Sequence, residues 1–218
     1  MSRRFNGEMG QVRGVPLPER IVKNWARVEE FQAAKQDLLI ATYPKAGTTW
    51  TQEVVDHILN GGDDEKCKRA PTQVRMPFLE MTAADGSNAV AWGSWFEHVK
   101  GYWNERHTKK ILYIFFEDMK EDPIREVTRI AEFLECQLSK NTIDHIVQQT
   151  TFSTMRENPM ANYSTIPETH FDRTASDFMR KGEVGDWKNH LTAEQDFAFD
   201  EHYSREMAGC SIPIRFMI

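Results

Sequence analysis

The chain has 218 residues, 40% of them apolar and 28% charged, with a net charge of −6 and a mean hydropathy of −0.60. That balance excludes a disordered or membrane-embedded chain, and the acidic excess argues against nucleic acid as a partner. No apolar run approaches the roughly 18 residues that a bilayer span needs, and the length suits one domain, residues 1–218, with a sizeable core.

Met1 to Phe5 is charged and has no apolar h-region, so no secretory signal is expected. Cys67, Cys136 and Cys210 are widely spaced and fit no zinc pattern. They suit reduced thiols, and the cytoplasm is the expected compartment. Arg20 to Phe31 reads as an amphipathic helix, with Ile21, Val22, Trp25, Val28 and Phe31 near the 3.6 period. Leu38 to Tyr43 reads as a buried strand, and Thr48 to Leu59 as a helix stopped by Gly61 and Gly62. Val74 to Leu79 is a weaker strand because of Pro77. Trp92 to Arg106 reads as a helix with Trp95, Phe96, Val99 and Trp103 on one face, and Ile111 to Phe116 as a second buried strand. Pro123 starts a helix over Ile124 to Glu135, Lys140 to Gln149 follows, and Thr192 to Met207 closes the chain. The stretch from Thr151 to Trp187 reads mostly as loop and carries ligand-facing candidates. This alternation gives an α/β class, a P-loop-like parallel sheet flanked by helices. Two convincing strands make a poor sheet, so the sheet is expected to be incomplete and the fold less stable than its length suggests.

The chemistry concentrates in Thr42-Tyr43-Pro44-Lys45-Ala46-Gly47-Thr48-Thr49-Trp50. A strand ending in a tight loop that opens a helix presents free N–H groups, with the helix dipole behind them, to a phosphate or sulfate. Gly47 lets the backbone approach the anion, Lys45 adds a point charge, and Thr48 and Thr49 add hydroxyls. The common loop, G-x-x-x-x-G-K-[ST], has its lysine after the last glycine. Here Lys45 precedes Gly47 by two positions, and Trp50 is either core or a ring for a purine. The string resembles the phosphate loop of the cytosolic sulfotransferases, T-Y-P-K-[SA]-G-T-T-W.

Further strings resemble the same family. Arg180-Lys181-Gly182-Glu183-Val184-Gly185-Asp186-Trp187-Lys188 is similar to its R-K-G-x-x-G-D-W-K, two cations and two glycines able to wrap a second phosphate. Thr150-Thr151-Phe152-Ser153-Thr154-Met155 resembles T-S-F-x-x-M, and Asn158 to Tyr163 resembles N-P-M-x-N-Y. The family co-substrate is 3′-phosphoadenosine 5′-phosphosulfate (PAPS). The resemblance implies that Lys45, Ala46, Gly47, Thr48 and Thr49 hold its 5′ end, and Arg180, Lys181 and Gly182 its 3′-phosphate. It sets Trp50 and Phe152 on the adenine, with Thr150, Thr151 and Met155 nearby, although Phe152 and Met155 also read as ordinary core. Phe116 stands where the family has a tyrosine, losing a phenolic hydrogen bond. Phe78 and Tyr163 are implied to line the pocket of a small-molecule acceptor, a phenol, amine or alcohol. No metal is called for.

Sulfuryl transfer to a hydroxyl needs a base for the acceptor proton, in this family the histidine of K-T-H-[LF]-P. That string is absent, as is V-A-R-N-x-K-D-x-x-[VS]-S, whose arginine and serine hold the 3′-phosphate. Both belong between Pro77-Phe78-Leu79-Glu80 and Trp92-Gly93-Ser94-Trp95, which are here separated only by Met81 to Ala91. An internal deletion is therefore expected, joined near residues 88–91. Of the histidines (His57, His98, His107, His145, His170, His190 and His202), each reads as a surface or packing residue, with His170 the first to test. Lys188 to Phe197 keeps the lysine and threonine of the family's K-x-x-x-T-V-x-x-x-E dimer stretch but loses its valine and glutamate, so a homodimer is not assumed. The competing readings are an inactive remnant with weak nucleotide binding and a P-loop kinase. The kinase is disfavoured by the lysine position and by Glu117 and Asp118, which read as a helix cap rather than Mg²⁺ ligands.

Overall fold

The computed structural model describes residues 9–80, 93–167 and 177–218. Residues 88–91 and His170 therefore lie outside the described residues. The described part opens with an antiparallel hairpin, β1 (Met9–Val12) and β2 (Val15–Pro18), in which Met9 pairs with Pro18 and Val12 with Val15. Two short helices follow, α1 (Glu19–Lys23) and α2 (Trp25–Glu29). The expected single helix over Arg20 to Phe31 thus breaks at Asn24, whose φ of −98° and ψ of 4° leave the helical well. Asparagine is a poor interior helix residue.

The remaining helices are α3 (Thr48–Leu59), α4 (Asp64–Cys67), α5 (Thr72–Arg75), α6 (Trp95–Glu105), α7 (Phe116–Glu121), α8 (Pro123–Phe133), α9 (Lys140–Gln149), α10 (Phe152–Glu157) and α11 (Ala193–Glu206). Their ends follow local chemistry. Ser139 and Asp122 cap α9 and α8 by accepting from Thr142 and Arg125 amides, and Pro123 occupies the first turn of α8. Thr192 and Gln195 form a reciprocal capping box on α11.

Two apolar clusters organise the packing. One joins Val54, Val55 and Ile58 of α3 to Met119 of α7, Val127 and Ile130 of α8, and Ile143 and Ile146 of α9. The other gathers Val99 of α6, Met207 and Ile212 with Trp95, Trp103 and Tyr203 around them. Residues 111–115 run between them and alternate: Leu112 and Ile114 face the first cluster, Tyr113 and Phe115 the second. A segment covered on both faces with period 2 is what the middle of an α/β sandwich requires.

The expected strands differ from the structure in pairing, in burial and, for one of them, in type. Among the described residues, neither 38–43 nor 111–115 makes ladder hydrogen bonds, and the hairpin supplies the only sheet. Leu38 and Leu39 are 41% and 69% exposed rather than buried. An extended segment registers as a strand only when a neighbour completes its backbone hydrogen bonds, and no described segment does so here. The weak strand over Val74 to Leu79 is overturned: Thr72–Arg75 is a helical turn, held by a buried ion pair of Arg75.

Candidate functional site

The amide of Ala46 donates to the Tyr43 carbonyl at 3.1 Å, closing a turn with Pro44 second and Lys45 third. Lys45 has a φ of 68° and Gly47 a φ of 106°, the left-handed pattern that a turn of this kind needs at its third position. Gly47 then caps α3 with no side-chain hydrogen bond, and the first turn of α3 holds no acidic residue. No described residue accepts from the amides of Gly47, Thr48, Thr49 or Trp50. Among the described residues, then, nothing compensates four donors and the positive end of a 12-residue helix at this loop. The Thr42 and Thr48 hydroxyls bond to each other across the turn and fix its width.

Lys45 is exposed as a whole, but its ammonium rests on a ring. Its Nζ sits 4.3 Å from the centroid of Phe178 and 3.5 Å from the Phe178 carbonyl. On its own side Phe178 stacks on Tyr163, ring centroids 4.1 Å apart. Burial holds the Lys45 pKa below its ordinary value, and the positive charge of Arg180 lowers it further. The contact with Phe178 thus brings Lys45 beside the segment that carries Arg180, 135 residues away in sequence. Tyr163 adopts a φ of 61°. Burial raises its pKa, while a hydrogen bond from Thr49 acts in the opposite direction.

The second loop is wired to a carboxylate. Asp186 begins a short 3-10 helix (Asp186–Asn189) after Gly185 at φ 80°. Its oxygens accept from Lys181 at 2.5 Å, Arg180 at 2.5 Å, Asn189 at 3.0 Å and His190 at 3.0 Å. Lys181, then Asn189 and Arg180, hold its carboxyl far below the usual carboxylate range. Gly182, at φ 65°, presses against Phe152: a Cβ there would stand 2.3 Å from the Phe152 ring. Gly182→Ala should therefore displace Phe152 and cost about 1–3 kcal/mol. Urea unfolding would read the loss, and an unchanged midpoint would show that the two loops are not in contact.

The other candidates separate into half-buried and buried. Trp50 meets Phe116 edge-on at 5.6 Å, and its indole N–H is buried with no described partner. Phe116 also lies 3.7 Å from where a Cβ on Gly47 would be. Thr151 caps α10, whereas Thr150 is buried and donates its hydroxyl to the Ile146 carbonyl. Met155 is buried in packing. Thr150 and Met155 therefore hold the site from behind. Phe78 is half-buried beside the undescribed residues from 81 onward.

Comparison with known proteins follows this geometry. A profile described as the sulfotransferase domain matches residues 35–89 and 85–211. Sulfotransferase 1C2 of Rattus norvegicus is 37% identical over 94% of this chain and 94% of its own length. The chain belongs to the sulfotransferase family. Sulfotransferase 1A1 of Bos taurus is 36% identical over 94% of this chain and 95% of its own. The alignment with the rat relative runs over 279 positions, more than the 218 residues of this sulfotransferase. Among solved structures, retinol dehydratase with androsterone and inactive cofactor PAP superposes with a TM-score of 0.82 at 16% identity, over 98% of this chain and 93% of that one. A mouse sulfotransferase complexed with PAP gives a TM-score of 0.67 at 22% identity, over 93% and 95%. These likenesses establish an α/β sulfotransferase fold for the chain.

Sequence reading missed three parts of the site of this sulfotransferase. Phe178 lies two residues before Arg180 and carries no polar signal. Asp186 sits inside the string quoted for its cations, yet its bonding to them needs the folded loop. The third is a buried charge cluster behind the loop helix. Arg75 pairs with Glu53 and Asp56, their side chains 1%, 2% and 3% exposed. Glu53 also takes the Thr72 hydroxyl at 2.5 Å, and Thr72 bonds the Met160 carbonyl through its amide and hydroxyl, both at 2.8 Å. The cluster thereby ties α3 to the loop that carries Tyr163. Arg69 completes it with two bonds to Asp56, at 2.9 and 3.1 Å. Burial works against the Asp56 anion, but Arg69 and Arg75 hold its pKa low.

Proposed function

We propose that the chain binds 3′-phosphoadenosine 5′-phosphosulfate between the Lys45 turn and the Arg180 loop and transfers its sulfuryl group to a hydroxyl or amine of a small molecule. The contact of Lys45 Nζ with Phe178, two residues before Arg180, beside the uncapped start of α3 carries this reading. Four amides and Lys45 serve the 5′ end, and Arg180 and Lys181 serve the 3′-phosphate. As acceptor oxygen bonds to sulfur, the bond from sulfur to the bridging phosphate oxygen breaks. Lys45 stabilises the charge that collects on that oxygen. Trp50 and Phe152 flank the adenine, while Phe78 and Tyr163 line the acceptor pocket. Retinol dehydratase, of like fold, is in complex with androsterone, a small molecule of the alcohol class. The cytoplasm is the proposed compartment.

The same reading takes the chain as one domain with an interior segment removed near residues 88–91. Two observations support it: the profile matches in two pieces meeting at residues 85–89, and relatives align over more positions than the chain has residues. The missing span is where the family base and half of the 3′-phosphate clamp belong, so transfer is slowed while binding persists. The kinase reading gains nothing here, because Asp118 is bonded to Arg215 at 2.5 Å.

Calorimetric titration with adenosine 3′,5′-bisphosphate tests the site. Lys45→Met should weaken binding by about 2–3 kcal/mol, roughly 30- to 150-fold in Kd. The native affinity should also fall as pH rises through the lowered Lys45 pKa, because the dianion prefers protonated Lys45 and binding draws a proton onto it. Lys45→Arg should flatten that profile. An unaltered Kd in Lys45→Met, or tighter Mg²⁺-dependent binding of ATP, would overturn the assignment.

A further inference from the structure

Arg180 and Lys181 are adjacent cations, and Arg180 also repels Lys45. Without a counter-charge, three like charges would drive one another out of a site that has yet to receive its anion. Asp186 is the counter-charge. Its side chain is only 4% exposed and gathers both cations, with Asn189 and His190 filling its remaining acceptor positions. His190 Nε2 spends its proton on Asp186, so the bond that braces the Arg180 guanidinium here is the one to Asp186. Neither cation is used up: arginine offers five N–H donors and lysine three, and Asp186 occupies one of each.

We infer that Asp186 is the positioning residue of the 3′-phosphate clamp, holding Arg180 and Lys181 in place before the nucleotide arrives. The inference rests on the nucleotide reading above. Two effects compete, since an anion in the clamp also repels phosphate. The geometry favours positioning, because the cations keep free donors while bound to Asp186 and need not release it. Ordering two long side chains in advance removes a cost that binding would otherwise carry.

The test compares adenosine 3′,5′-bisphosphate with adenosine 5′-monophosphate, titrated calorimetrically into the full chain. The ratio of their affinities isolates the 3′-phosphate. Asp186→Asn should cut that ratio about tenfold and leave the monophosphate unchanged, whereas general loosening of the fold would weaken both ligands alike. Asp186→Glu keeps the charge but shifts it by one methylene, and should cut the ratio about threefold. It carries the test where Asp186→Asn does not fold. An unchanged ratio, or equal loss of both ligands, overturns the inference. A native chain that binds both nucleotides equally would instead remove the nucleotide reading, and this inference with it.

Discussion

With a simple phenol as acceptor, the purified chain should transfer sulfuryl groups roughly 10²–10⁴ times more slowly than an intact family member, the usual contribution of a positioned general base. The acceptor proton must leave as oxygen bonds to sulfur, and a neutral phenol is a poor nucleophile. Of the six described histidines, His107 lies exposed just past the end of α6, and the other five are committed elsewhere or poorly suited. His57 is buried and bonded to the Glu53 carbonyl at 2.9 Å, His145 pairs with Asp64 at 2.9 Å, and His190 donates to Asp186 at 3.0 Å. His202 bonds Arg205 and packs on Phe96. His98 meets the phosphate-loop ring of Tyr43 edge-on at 5.8 Å, but burial lowers its pKa and makes it a weaker base. A radiolabelled-sulfate assay reads the outcome. Turnover at the rate of an intact relative would show that a base is present after all, and would remove the slowed-transfer reading while leaving the nucleotide site untouched.

Replacing Arg75 by methionine should destabilise the fold by about 3–5 kcal/mol, the range for stranding a partner in a buried ion pair. For a chain of this size that is a fall of roughly 6–20 °C in Tm. Arg75 is the cation shared by Glu53 and Asp56, so its loss leaves Glu53 with only a hydroxyl and forces a carboxylate to be protonated or wetted. Asp56 suffers less because Arg69 remains. The pair Arg75→Met with Glu53→Gln should recover part of the loss, since a neutral amide is left in place of a stranded anion. Thermal unfolding followed by circular dichroism checks both. A shift under 2 °C for Arg75→Met would mean that the cluster is solvated. Because Thr72 links Glu53 to the Met160 carbonyl, the same variant should loosen Tyr163 against Thr49.

The local elements were the legible part of this protein. Helices α3 and α9 have the bounds that periodicity and capping residues imply, and α11 lies within its Thr192 and Met207 caps. Those signals act within one turn and need no distant partner. The turn at Lys45 was equally readable, because proline and glycine positions dictate its backbone. The two strands were readable only as side-chain patterns. Alternation of Leu112 and Ile114 against Tyr113 and Phe115 is a local property, whereas a ladder belongs to two segments at once. The backbone of the Lys45 turn and the family were thus determined by the sequence itself, since both reside in contiguous strings. Tertiary structure alone decided that Lys45 and Arg180 share a site, that Phe178 separates Lys45 from Tyr163, and that Asp186 and Arg75 hold the surroundings in place. Each of these is a contact between distant residues, and charge, ring and carboxylate carry no mark in the sequence of the partner they will meet.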